Sequence, residues 1–81
     1  MTRDVDISYD VSASNFVILN YTPPSVSGYT AAFAIPTWTG DNSVTFVVAT
    51  LAGIRLRNFS ASAVNGASAR ITVVYKKNIT V

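Results

Sequence analysis

The chain has no cysteine, no histidine and no glutamate. Without cysteine there are no disulfide staples and no thiol nucleophile, and without histidine as well the usual zinc ligands are gone. The commonest general base is missing too. What remains for proton transfer is four aspartates, four tyrosines and two lysines, so the composition speaks against an enzyme and calls for no cofactor and no metal. Charge of either sign is scarce. Charged residues make up 12% of the chain, the acids are Asp4, Asp6, Asp10 and Asp41, and the net charge is +2. An isoelectric point near 9.3 from so few charges is a weak argument for nucleic acid, because neither a dense Lys/Arg stripe nor a known stacking module accompanies it. No apolar run approaches the ~20 residues that span a bilayer. Met1-Thr2-Arg3 leads into Asp4 and Asp6 where a secretory signal would place an apolar segment. The expectation is a soluble chain with no membrane insertion.

What is present is apolar and β-prone. The 81 residues suffice for one small domain, 49% of them are apolar, and the mean hydropathy is +0.36. A domain of this size buries only roughly 60% of its unfolded surface. With staples and metals excluded, association between copies is the remaining support.

Asp4 to Val11 alternates strictly, Val5, Ile7, Tyr9 and Val11 against Asp4, Asp6, Ser8 and Asp10, the pattern of a half-buried strand; outward acids suit an edge position. Ser12 to Asn15 reads as a turn. Phe16 to Tyr21 is apolar on both faces and reads as a covered strand, and Pro23-Pro24 takes the chain off the sheet. Tyr29, Ala31, Phe33 and Ile35 share one face of a strand that Pro36 ends, and Thr37 to Asn42 forms a loop. Ser43 to Thr50 has the look of a central strand, and Ile79 to Val81 of one more short β piece.

Asn65-Gly66 lies between two extended runs, the pairing that two-residue hairpin turns favour. A hairpin closed there sets Leu56 opposite Tyr75 and Ser60 opposite Ile71. It gathers Ile54, Leu56, Ala69, Ile71, Val73 and Tyr75 on an apolar face, and Arg55, Arg57, Arg70, Thr72 and Lys76 on a basic one. No helical periodicity occurs anywhere. The fold expected is all-β: a small antiparallel β-sandwich, jelly-roll-like, of six or seven strands, filling residues 1–81 as one domain. Two strands apolar on both faces call for a partner subunit to cover them.

Three groups of residues invite a chemical reading. Asp4, Asp6 and Asp10 share a strand face, but calcium needs six to eight oxygens converging from a loop, so they read as a solvated face. Arg55, Arg57 and Arg70 offer planar forks suited to phosphate or carboxylate, against the plain alternative of an ordinary wet sheet face. Trp38, the only tryptophan, has Asp41 and Asn42 nearby. An aromatic ring for stacking beside polar groups for hydroxyls is the equipment of a sugar site, and a lone Trp beside a strand also commonly plugs a sandwich end or an interface. The sequons at Asn20, Asn58 and Asn78 arise cheaply in a Ser/Thr-rich chain and, without a secretion signal, predict no glycan.

S-G-Y-T-A-A-F-A-I-P-T-W-T-G-D-N and G-I-R-L-R-N-F-S-A-S-A-V-N-G-A-S-A-R-I-T-V-V-Y-K-K resemble the small C-terminal β domains of tailed-phage fibre and minor tail structural proteins, over roughly residues 25 to 77. The shared features are a Ser-Gly-Tyr strand opening, a Thr-Gly turn before a Val-rich strand, an Asn after the next strand, and a final V-Y-K-K strand. The resemblance implies a homotrimeric, virion-borne head that binds a bacterial surface polysaccharide or other receptor. It carries over no functional residue. The chain departs from the family in lacking a helical or fibrous shaft, which suggests an isolated domain or a very small virion protein. A structural virion protein that cements subunits and a free carbohydrate-binding module are the alternatives.

Overall fold

The computed structural model describes residues 1–79. Six strands form two three-stranded antiparallel sheets: β1 (Thr2–Val11), β2 (Phe16–Asn20), β3 (Tyr29–Trp38), β4 (Val44–Ala49), β5 (Gly53–Asn58) and β6 (Val64–Lys77). One sheet has the order β1-β6-β3, the other β2-β5-β4. The wrapping is nested, with the first strand beside the last and the second beside the next to last. The two sheets face each other, and the core between them is built from Tyr9, Val11, Ala69 and Ile71 on one side and Val44, Ile54 and Leu56 on the other. The all-β sandwich expected from the sequence is the fold found, with six strands among the described residues. The segment from Ile79 to Val81 falls largely outside them, and Ile79 itself is not in a strand.

Strand β1 follows its alternation: Tyr9 and Val11 are buried, Val5 and Ile7 half-buried, and the aspartates exposed. It occupies a sheet edge. The Asn65-Gly66 hairpin does not form. β5 and β6 belong to different sheets, and Asn65-Gly66 lies inside β6, where Val11 pairs with Val64 and Tyr9 with Ala67. Asp10 alone therefore opposes two residues, which makes a β-bulge. Gly66 takes the positive φ of 66° that such a bulge places on glycine, and its N–H donates to Asp10 Oδ1 at 2.7 Å. The left-handed backbone that marks a hairpin turn serves a bulge equally well, and a strand from the far end of the chain supplies the partner. The six residues expected on the hairpin's apolar face are all buried, but β5 and β6 present theirs from opposite sheets, across the core.

Other assignments also change. β4 is an edge strand and not a central one. β2 is likewise an edge strand with one exposed face, Phe16 and Ile18 standing 45% and 62% accessible. β3 runs through Pro36 to Trp38. It can do so because it is an edge, where a missing N–H costs no ladder bond. A bulge between Ala31 and Phe33 reverses its alternation, so Tyr29 and Ala31 turn inward while Phe33 and Ile35 turn out.

Three tyrosines tie connections down through their hydroxyls, each donating to a loop or turn carbonyl: Tyr9 to Thr39, Tyr21 to Thr50 and Tyr75 to Pro24. Asn58, wholly buried at the end of β5, does the same with an amide. Its Nδ2 donates to the carbonyls of Ser12 and Ser62, and its Oδ1 accepts from Ser60 N–H and Ser60 Oγ. Among the described residues no helix is long and apolar enough to cross a membrane.

Candidate functional site

The β3–β4 connection begins at Thr39, which is buried with its hydroxyl 2.6 Å from the Asp41 carbonyl and 2.8 Å from that of Val44. One proton serves one of them at a time. Gly40 has φ 81°, and a Cβ there would lie 2.5 Å from the Ser68 carbonyl oxygen, so the turn is pressed against β6 where only glycine fits. Asp41 then closes the turn, Oδ1 accepting the Ser43 N–H at 2.7 Å. This is a side-chain turn of the kind aspartate favours. It positions the carboxylate beside an exposed Asn42 and at the rim of a cleft of about 340 Å³.

Trp38 stands at that rim, 51% exposed. The cleft is lined by Trp38, Thr37, Asp41, Asn42, Thr45 and Phe46, among others. Trp38, Asp41 and Asn42, expected together from sequence, are together in space, although Trp38 ends a strand and does not ride a loop. Arg70 joins them by a route not visible in sequence. It is Trp38's partner across the β3–β6 ladder, and the two line a second concavity of about 410 Å³ with Asp6, Gly40, Gly66 and Ser68. Trp38 is thus a wall between two shallow hollows, one of mixed apolar and polar lining with Asp41 as its charged group, the other carrying an ion pair.

That pair is Arg70 and Asp6, with Nε–Oδ1 at 2.8 Å and the second nitrogen–oxygen contact at 3.3 Å. The hydrogen bond and charge of Arg70 hold the Asp6 carboxyl below its ordinary 3.8, and Asp6 in turn raises Arg70. Asp4 accepts from Thr72 Oγ1 at 2.8 Å. The aspartates of β1 are therefore each engaged with β6, as a partnered sheet face. Tyr9 is pushed above its ordinary value of 10.0, first by burial and then by the charge of Asp41.

Arg55 and Arg57 are elsewhere. The single basic face expected from the hairpin is split between two outer surfaces, since β5 and β6 lie in different sheets. Arg55 sits with its guanidinium 4.2 Å from the centre of the Phe16 ring, and Arg57 5.3 Å from that of Phe59, both cation–π contacts. Among the described residues neither meets a carboxylate, Asp6–Arg70 being the one ion pair. Sequence reasoning passed over Asn58, read only as a strand residue and a sequon. Its signal is Ser60 and Ser62 two and four places on, at the end of an apolar run.

Comparison of the chain with protein-family models, with characterised proteins and with solved structures finds no match.

Proposed function

We propose that the protein is a non-enzymatic, homotrimeric head domain of a phage tail fibre or receptor-binding protein, carried on the virion. In this reading it recognises a bacterial surface polysaccharide in the cleft at Trp38. The observation that supports the reading is the juxtaposition of an exposed indole with the Asp41 carboxylate, the Asn42 amide and the Thr37 hydroxyl around one cleft. An indole face takes the C–H side of a sugar ring, while short polar side chains take its hydroxyls.

The test is binding of purified chain to host cells and to cell-surface glycan fractions. Trp38→Ala is expected to lower affinity at least about tenfold, a loss of about 1.4 kcal/mol, with the circular dichroism spectrum unchanged. Unaltered affinity would remove the cleft from the reading. The second reading, a virion protein that only joins subunits, is favoured by a different observation: the outer face of β2-β5-β4 exposes Phe16, Ile18 and Val48 at 45%, 62% and 45%. Absence of any cell or glycan binding together with incorporation into particles would select it.

A further inference from the structure

The outer face of β2-β5-β4 combines three features. Register places Phe16 beside Arg57, and Arg55 between Ile18 and Val48, so the apolar groups and the guanidiniums are interleaved on one surface. Both guanidiniums are held on aromatic rings and neither has a carboxylate partner among the described residues. All four acids lie off this sheet, three of them on β1 and Asp41 in the β3–β4 connection.

We infer that this face receives a second copy of the chain, docked through the Asp4–Asp6 edge of its β1. Arg55 and Arg57 are two residues apart on one strand face, which sets them about 7 Å apart, and Asp4 and Asp6 repeat that spacing on β1. Two carboxylates and two guanidiniums at matched intervals form charge-assisted pairs. Asp6 keeps Arg70 and Asp4 keeps the Thr72 hydroxyl, but the ion pair is half exposed on both sides, and a carboxylate accepts more than one donor. The apolar residues beside the arginines, Phe16, Ile18 and Val48, supply the area. A twofold contact of the face with its own copy is disfavoured, because it would oppose four guanidiniums with no counter-charge. The contact is therefore heterologous, using a different patch on each partner, and such contacts close into rings or run on as stacks. β1 is an edge strand, so its Asp4–Asp6 stretch is open to approach from the side. This inference rests on the self-association in the proposed function and not on its receptor.

The experiment is sedimentation equilibrium of the intact chain at low and high salt, with three variants. Arg57→Asp alone and Asp4→Lys alone are each expected to weaken association about tenfold or more, since like charges then meet. The double variant Arg57→Asp/Asp4→Lys is expected to recover it, with folding of every variant checked by circular dichroism. An oligomer indifferent to both single changes, or one that the double change fails to restore, overturns the inference while leaving a trimer in place. A wild-type chain that stays monomeric overturns the trimer as well. So does one that is monomeric and retained on a phosphodiester polymer through Arg55 and Arg57, the face then serving a polyanion. Trp38→Ala is expected to leave the mass unchanged, which separates this test from that of the sugar cleft.

Discussion

Asn58 uses all of its side-chain hydrogen-bonding capacity inside the protein: two donated bonds, two accepted, and no solvent contact. It joins the β1–β2 turn to the β5–β6 connection, two segments far apart in sequence. Removing one buried partner leaves the others unsatisfied at about 1–3 kcal/mol each. Asn58→Ala is accordingly expected to destabilise the fold by about 3 kcal/mol, measured by urea unfolding; a loss below about 1 kcal/mol would show the two segments to be held by something else. At this scale the sequence was a good guide wherever orientation depended on neighbours alone. Val5, Ile7, Tyr9 and Val11 turn inward as their alternation says, because successive strand residues point to opposite faces. Phe33 and Ile35 do not follow, because a bulge at Ala32 shifts the period and nothing in Ala-Ala-Phe-Ala announces it.

Among the elements, β6 is the one whose neighbours could not be read from the chain. Its residues were legible, and so was the need for a positive φ at Gly66. Whether that φ closes a hairpin or a bulge is decided by which strand lies alongside, and that is a long-range choice made by the aspartate-bearing β1. A Cβ at Gly66 would meet nothing within 4 Å, so the position tests conformation without steric clash. Gly66→Ala is expected to cost about 1–2 kcal/mol, the penalty of the left-handed region for an L-residue. Gly66→Asn should cost less. Thermal melts of the two variants measure the difference, and equal melting points would mean that the bulge relaxes freely. The edge status of β2 and β4 escaped sequence reading for a related reason: apolar residues on both faces signal cover, without saying whether the cover is the same chain or another.

As a whole the molecule is a rod, 55 × 17 × 17 Å, with a surface of 5046 Å² against about 4,700 Å² for a compact protein of its mass. Its core is a single layer between two thin sheets. That geometry leaves the outer faces of β2 and β4 and the second half of β3 wet. The candidate cleft was legible only in part, since Trp38, Asp41 and Asn42 are neighbours in sequence while Arg70 reaches Trp38 by strand pairing. Stability should depend on pH at both extremes and not between them, there being no histidine. Asp6 is held below 3.8 in the folded state, so its contribution is present above that value and lost as pH falls through the lower folded one. Tyr9 and Tyr21 are raised above 10.0; the unfolded chain sheds their protons first, and stability declines as pH rises past that point. Melting temperatures flat between about pH 5 and 9 are expected. A sharp optimum near neutrality would contradict the assignment, and Asp6→Asn should blunt the acid limb.

The nesting of β1 against β6 has a consequence for how the protein is carried. Thr2 lies opposite Val74, and the Tyr75 N–H donates to the Met1 carbonyl, so Met1 and the end of β6 lie at the same pole of the rod. Trp38 pairs with Arg70, several residues further along the axis. A carrier or tag attached beside Met1 therefore pulls from one pole of the rod and leaves the Trp38 rim, level with the middle of β6, open on its flank.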